Sequence, residues 1–101
     1  APGDAGRLQG LFAVLDAAVV GKHLKIRGRR PGDRIEPLGL GGRKKVQDIF
    51  VDRKVPREER DLVPLVVDEQ DRIAWIPGHA VDQAFRAGPQ SAAVVVLILR
   101  R

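Results

Sequence analysis

Apolar residues occur in short runs that proline and glycine interrupt every few positions, a pattern typical of a strand-rich protein. The first run, residues 11–20, is a strand candidate in which Asp16 is a polar break. The last run, residues 92–99, is continuous and rich in valine, which is typical of a strand covered on both faces. Between them, residues 62–67 and 72–76 are predicted to form a hairpin across the polar loop 68–71.

Apolar and charged residues alternate strictly just after the first run. Leu24 and Ile26 are therefore predicted to face a core, whereas Lys25, Arg27 and Arg29 share the opposite face. A tight turn at residues 30–32 then leads into a short strand predicted over residues 33–38, which a glycine-rich loop follows.

One segment has clear helical spacing. Val46, Ile49 and Phe50 recur at helical intervals within residues 43–54, which contain no proline or glycine. Residues 81–85 also have helical spacing, but they are equally compatible with a turn that leads into a strand. Together these patterns predict an α+β fold, a strand-rich single domain with one main helix.

Length and composition limit the class of protein. The 101 residues suffice for one domain, residues 1–101, with a modest core. The lack of cysteine excludes disulfides and thiolate metal sites and fits a cytoplasmic protein. The apolar runs fall short of the roughly 20 residues that a membrane helix needs, so no membrane partner is expected. Because methionine is absent, we expect a fragment excised from a longer protein.

Side chains suited to catalysis are scarce. Cysteine, threonine and tyrosine are absent, and the single serine, Ser91, has no histidine near it in sequence to act as its base. His23 and His79 lie far apart and lack the spacing of a metal motif. The loop of residues 39–45 lacks the hydroxyl residue of a phosphate-binding loop. We therefore expect no catalytic residue, metal or cofactor here, and a small hydrolase built on these three residues is the least favoured interpretation.

The charge balance changes the picture. The formal net charge is +5 and the pI is near 10.4, which favours a polyanionic partner, although solubility alone accounts for such a charge equally well. Cations are concentrated between Lys22 and Arg60, and some of them lie at the predicted helix start. The positive end of the helix dipole repels cations there, and a bound phosphate would offset that repulsion. Since aromatic residues are few, recognition of the backbone and groove of double-stranded RNA is favoured over base stacking.

The candidate RNA contacts are the cations of this central segment. They are Arg27, Arg29, Arg30, Arg34, Arg43, Lys44, Lys45, Arg57 and Arg60. Arg34 and Arg60 each adjoin an aspartate and are alternatively expected to form ion pairs that hold loops. A second hypothesis makes the chain a docking or self-association module, including a homodimer, whose basic face serves only solvation.

Several short motifs occur together over residues 24–82. They are Gly32-Asp33-Arg34, Pro37 with Gly39, Lys44-Lys45, Asp48 with Phe50, Pro56-Arg57, Arg60-Asp61, Trp75-Ile76-Pro77-Gly78 and Asp82. Each is common alone, but the combination resembles the C-terminal domain of bacterial tRNA(Ile)-lysidine synthetases. The resemblance is strongest over these residues.

That resemblance implies a fold related to a domain of phenylalanyl-tRNA synthetase and a role in gripping the tRNA body and acceptor stem. The ligase reaction, ATP-dependent attachment of lysine to the wobble cytidine of an isoleucine tRNA, would belong to an N-terminal catalytic domain. ATP and magnesium would bind there, since this chain lacks the Ser-Gly-Gly-x-Asp-Ser loop of that domain. The implied partners are tRNA and the missing catalytic domain.

Overall fold

The computed structural model describes residues 11–99. Its strands are β1 (Phe12–Asp16), β2 (Lys25–Arg27), β3 (Arg34–Ile35), β4 (Lys44–Lys45), β5 (Leu65–Val67), β6 (Ile73–Ile76), β7 (Ala80–Val81) and β8 (Val94–Ile98). Its α-helices are α1 (Ala17–Val20) and α2 (Val46–Asp52), and two 3-10 helices span Arg57–Leu62 and Gln83–Phe85. The predicted α+β class, rich in short strands with one main helix, is confirmed.

The central layer is an antiparallel four-stranded sheet in the order β2-β5-β6-β7. Every residue of β5 and β6 is buried, because an apolar core lies on each face of this hairpin. One core contains Phe50 of α2 and Ile35 of β3, and the other contains Leu15 of β1 and Phe85. The predicted hairpin is thus confirmed, and it is the segment that is covered on both faces.

The valine-rich run near the C-terminus behaves differently from the prediction. β8 pairs with β1 in a separate two-stranded antiparallel sheet, and only Val95 and Leu97 turn toward the core. Val94, Val96 and Ile98 are 50, 55 and 59% exposed, so the expectation of a strand covered on both faces is wrong for the described structure. The outer face of this sheet, which also carries the exposed Phe12 and Val14, is apolar and open.

Residues 11–20 do not form one strand. The chain leaves β1 at Asp16, whose carboxylate accepts a hydrogen bond from the amide of Ala18 at 2.9 Å and caps α1. The hydroxyl of Ser91 donates to the same carboxylate at 2.8 Å. This bond, and to a lesser extent those from the Ala18 and Val19 amides, holds the pKa of Asp16 below its usual range although burial opposes the shift. The predicted polar break is therefore a helix cap, and Ser91 supports it.

The predicted facing of β2 is wrong at Ile26 and Arg27, whereas Lys25 is exposed as predicted. Ile26 is 67% exposed, whereas the side chain of Arg27 is only 12% exposed. Leu24 does pack against the core. The burial of Arg27 has a physical cause, because the carboxylates of Asp33 and Asp71 bind its guanidinium and hold it in place.

Helix α2 begins three residues later than the spacing predicts. Residues 44 and 45 are extended because they pair with Arg34–Ile35, and the amide of Val46 donates to the carbonyl of Asp33 at 3.0 Å. The strand predicted over residues 33–38 is accordingly only β3, and residue 62 belongs to a 3-10 helix rather than to β5. Residues 81–85 match neither alternative fully, since the strand β7 ends at Val81 and is followed, not preceded, by a short 3-10 helix over Gln83–Phe85.

Neither a membrane-spanning helix nor a cluster of metal ligands occurs among the described residues. Within residues 11–99, no helix is long and apolar enough to cross a membrane. The same residues contain no group of histidine and acidic side chains placed to hold a metal ion.

Candidate nucleic-acid interface

Arg27 is the structural centre of the basic region. Its two terminal nitrogens donate to the two carboxylate oxygens of Asp33 at 2.9 and 3.0 Å, and its Nε donates to Asp71 at 2.9 Å. A further bond reaches the carbonyl of Gly28 at 3.0 Å. The bonds to Asp33, followed by those to Asp71, raise the pKa of Arg27 above its usual range. Because these donors are occupied, Arg27 is a clamp between two loops, and this argues against its predicted contact with RNA.

Asp33 fixes the turn that precedes β3. Burial alone would raise its pKa, but hydrogen bonds from Arg27 and from the backbone amide of Arg30, the latter at 2.7 Å, hold the pKa below its usual range. The amide of Asp33 also donates to the carbonyl of Arg30, and Gly32 has φ +85°, a left-handed conformation that glycine adopts without strain. These hydrogen bonds hold the turn in one conformation, in which Arg30 and Pro31 are exposed.

Strands β3 and β4 place two cations directly opposite each other. Arg34 and Lys45 are Cα partners in the antiparallel register, so their side chains lie on the same exposed face. Like charges in this position destabilise a strand pair. Neither side chain makes a hydrogen bond or ion pair with the described residues. The arrangement leaves two unneutralised cations a single cross-strand spacing apart, which suits a ligand that carries neighbouring negative charges.

Two clefts adjoin this strand pair and share Gly32 and Asp33. The first, about 360 Å³, is lined by Arg29, Arg30, Lys45 and the polar side chain of Gln47. The second, about 450 Å³, contains Arg34 and Arg43, together with Arg72, which was predicted only as a strand residue. Five cations between residues 29 and 45 line one or the other of these clefts. We call them the basic turn surface: Arg29, Arg30, Arg34, Arg43 and Lys45.

The members of the basic turn surface differ in how firmly they are held. Arg29 pairs with Asp61 at 2.8 Å and Arg30 with Asp71 at 3.0 Å, but both aspartates are more than half exposed. Exposed ion pairs of this kind contribute about 0–1 kcal/mol, so a phosphate could replace either carboxylate at little cost. Arg43 is exposed and makes no polar contact with the described residues.

The other predicted RNA contacts lie elsewhere. Lys44 points to the opposite side of β4 and pairs with Asp52. Arg57 is exposed on a 3-10 helix and lines neither cleft. The Nε of Arg60 donates to the carbonyl of Val55 at 2.9 Å, so it holds the chain that follows α2. Among the described residues Arg27 makes the ion pairs that hold loops, and neither Arg34 nor Arg60 forms the ion pair that the alternative predicted.

Sequence reasoning missed Arg72 and Gln47. The guanidinium of Arg72 lies 5.0 Å from the ring centre of Phe85 and bonds the buried carboxylate of Asp68, so it forms a fixed positive wall of the second cleft. Arg72 lies near β3 because β6, which follows it in the chain, contacts β3, and no local motif predicts that contact. Gln47 lies just after the predicted helix start, but it is uncharged, and the charge pattern therefore does not indicate it as a contact.

The residues considered for a hydrolase do not meet. Ser91 is bound to Asp16, while the ring of His79 packs edge-on against Phe50 with centroids 5.6 Å apart. His23 lies beside Glu69 at 3.6 Å on an exposed surface. The geometry therefore places each of them in a local structural contact.

Comparisons with known proteins agree on one family. The family model described as the TilS substrate C-terminal domain matches residues 24–98. The tRNA(Ile)-lysidine synthase of Symbiobacterium thermophilum is 52% identical over 80 residues, which cover 77% of this chain and 16% of that protein. The tRNA(Ile)-lysidine synthase of Geobacillus kaustophilus is 44% identical over 85 residues, or 84% of this chain and 18% of that protein. The chain thus spans less than a fifth of the length of these relatives.

A solved structure supports the same relationship at the level of fold. The match is described as the crystal structure of a TILS C-terminal domain, with a TM-score of 0.74 and 35% sequence identity. The superposition covers 91% of this chain and 73% of that one. The architecture of the sheets described above is therefore shared with a domain of this kind.

Proposed function

The chain belongs to the TilS substrate C-terminal domain family, as the sequence resemblance predicted, and on this premise we propose that it binds tRNA through the basic turn surface. The relatives are named for an enzyme that acts on tRNA(Ile), so a tRNA is the polyanion that this surface would meet. The domain contributes grip and orientation, and the chemistry takes place elsewhere.

The observation that carries the proposal is the opposition of Arg34 and Lys45 across β3 and β4. A folded protein rarely gains from two unpaired cations in this register, because their repulsion lowers the stability of the strand pair. A phosphodiester backbone that crosses the strands would neutralise both and release condensed counterions, which is the main source of affinity in such complexes. Arg30 and Arg43 flank the pair and extend the positive surface to successive phosphates.

The same surface favours double-stranded RNA. Arginine supplies most of its charge, and a guanidinium donates two parallel hydrogen bonds to phosphate oxygens. No phenylalanine or tryptophan lines the first cleft, and Phe85 in the second is buried beneath Arg72. Contacts to phosphates and riboses across a groove are therefore the expected mode, and shape rather than base sequence would be read. This supports binding to a helical part of the tRNA, such as the acceptor stem.

The activity of the longer protein is part of the proposal. We infer that this chain is the C-terminal portion of an ATP-dependent tRNA(Ile)-lysidine synthetase, a cytoplasmic ligase. A separate N-terminal catalytic domain would hold ATP and magnesium. Neither group is assigned to the residues of this chain, which would act by holding the substrate tRNA.

The proposal is tested by titrating labelled tRNA(Ile) with the fragment over a range of salt concentrations. If about four phosphates are neutralised, log affinity should fall with log salt with a slope of roughly −3 to −4. A tRNA with its acceptor stem shortened should bind more weakly. Salt-independent binding, or no binding at low salt, would contradict the proposal.

A second candidate function, docking, is favoured by a different surface. The outer face of the β1–β8 sheet exposes Phe12, Val14, Val94, Val96 and Ile98, where a solvated antiparallel sheet normally carries polar residues. This face would pack against the catalytic part of a longer synthetase chain, with a homodimer as the other arrangement to be tested. The two functions are compatible, since the docking face consists of apolar residues that are distinct from the basic turn surface.

A further inference from the structure

A groove outside the basic turn surface combines apolar walls with one fixed cation. Two clefts of about 340 and 310 Å³ share Leu38, Arg53 and His79 among their lining residues, so they form one continuous groove. We call it the Arg53 groove. Leu38 and Leu40, which line it, are 46 and 53% exposed, and large apolar side chains are thus open to a ligand. The volume suits a group of small-molecule size.

The guanidinium of Arg53 is held as a flat surface in this groove. Its Nε donates to Nδ1 of His79 at 2.9 Å and one terminal nitrogen donates to the carbonyl of Gly78 at 3.1 Å. The ring of His79 is fixed in turn against Phe50. Two attachments leave the remaining N–H groups of Arg53 open, and no carboxylate among residues 11–99 pairs with them. Arg53 can therefore bind an anion and stack on a planar group without reorganising.

The charge of the groove selects a ligand with a single negative charge. Lys44 and Asp52 at one rim neutralise each other, and His79 accepts a hydrogen bond at Nδ1, which requires the neutral ring. Burial, and secondarily the charge of Arg53, hold the pKa of His79 below its usual range. Arg53 is thus the one uncompensated charge among the described groups that line the groove. One anionic group beside one flat or apolar group is the complementary chemistry.

A nucleotide of a single-stranded RNA segment has this chemistry, since it carries one phosphodiester charge and one planar base. An apolar peptide with a free carboxylate shares the charge but not the continuity with the basic turn surface. Lys44 at the rim of the groove and Lys45 in the basic turn surface are neighbours on β4, and alternate residues of a strand point to opposite sides. One RNA that contacts Lys45 can therefore reach the groove by crossing β4.

We propose that the Arg53 groove binds an unpaired nucleotide of the RNA whose helical part lies on the basic turn surface. The base packs against the guanidinium of Arg53 and the side chains of Leu38 and Leu40, and its phosphate bonds the open N–H groups of Arg53. This inference rests on the proposed function and adds a single-stranded subsite to it.

The test compares a blunt RNA hairpin with the same hairpin extended by a short single-stranded overhang at either end. We expect the overhang to raise affinity about tenfold, because an unpaired base gains affinity by stacking on a guanidinium plane as it does on an aromatic side chain. Arg53→Ala should abolish this gain and leave binding of the blunt hairpin within about twofold of the parent. Leu40→Ser, on an exposed loop away from the Arg53–His79 contact, is a second variant that should reduce the gain even if Arg53→Ala lowers the stability of the fold.

The outcomes separate this inference from the proposed function. If the blunt hairpin binds and the overhang adds nothing, the groove is not an RNA subsite although the basic turn surface is one. If neither RNA binds, both proposals fail. If an apolar peptide with a free carboxylate shifts the amide resonances of Leu38 and Leu40 and the overhang does not, the groove belongs to a protein partner and the inference is overturned.

Discussion

Arg27 grips both carboxylate oxygens of Asp33, at 2.9 and 3.0 Å, with each side chain only 12% exposed. Through Asp71 the same guanidinium also holds the loop between β5 and β6. The turn that carries the basic turn surface is therefore fixed by an arginine beneath it, while the arginines above it remain available to a ligand. The arginines thus have different tasks, according to whether a largely buried carboxylate such as Asp33 binds them.

Loss of this clamp should destabilise the fold. Arg27→Ala leaves the largely buried Asp33 without its main partner and removes one of the two arginine partners of the exposed Asp71, and we expect the free energy of unfolding to fall by about 3 kcal/mol. Urea denaturation followed by circular dichroism measures the change. Arg34→Ala is the matched control, because it removes an arginine that makes no polar contact within residues 11–99 and should change the free energy of unfolding by less than about 0.5 kcal/mol. Equal effects of the two substitutions would contradict the assignment of Arg27 as a clamp.

The pH dependence of stability should report Asp33. Its pKa in the folded protein lies below the ordinary value of 3.8, so its contribution is present above that value and is lost as the pH falls through the folded pKa. We expect Asp33→Asn to be less stable than the parent at neutral pH and the difference to shrink as the pH is lowered below 3.8. Denaturant unfolding at a series of pH values gives both curves. A difference that stays constant down to acid pH would be contrary to this account.

His79 should give a separate pH dependence at higher pH. Its folded pKa lies below 6.5, so protonation favours the unfolded chain and stability declines as the pH drops from above 6.5 toward the folded pKa. His79→Gln keeps an acceptor for Arg53 but does not titrate, and it should flatten the stability curve in this range. The measurement is the thermal midpoint of both proteins between neutral and mildly acidic pH. Parallel curves would show that the Arg53–His79 contact is not coupled to folding.

The local pattern predicts the elements better than their surroundings. The β5–β6 hairpin is predictable because its two apolar runs flank a polar loop of ordinary length. The facing of β2 is not, since the alternation of Leu24 to Arg27 carries no information on Asp33 and Asp71, which arrive from distant segments and draw Arg27 inward. The open face of β8 escapes prediction for the same reason, because a run of valines is identical whether or not a second layer covers it.

The sequence predicts which segment supplies the cations of the candidate site, but not which of those cations lie on one surface. The concentration of cations between Lys22 and Arg60 identifies the region, and the helical spacing of residues 46–50 places a helix nearby. Which cations share a surface depends on the pairing of β3 with β4, and strands of two residues are too short to recognise from alternation. Arg72 lies near them because β6 of the central hairpin contacts β3, and no local pattern predicts that contact.

The apolar face of β1 and β8 should be required for docking and dispensable for RNA binding. We expect Val96→Lys to change the stability of the isolated domain by less than about 0.5 kcal/mol, since this side chain is 55% exposed. In a full-length relative that carries the same substitution, the domain should become more sensitive to proteolytic release. Sedimentation of the isolated domain tests the homodimer. A large loss of stability in the isolated domain would show that Val96 packs against other residues of the same domain, and would contradict the assignment of this face to docking.

The most direct test of the central claim is the salt dependence of tRNA binding by an Arg34→Ala, Lys45→Ala double variant. Each phosphate contact contributes about one unit to the slope of log affinity against log salt, so we expect the slope to become shallower by roughly 2 while the fold is retained. Lys22→Ala, which removes an exposed cation that lines neither cleft, should leave the slope unchanged within about half a unit. An unchanged slope in the folded double variant, or an equal change in the control, would contradict the claim that Arg34 and Lys45 together form a seat for the RNA backbone.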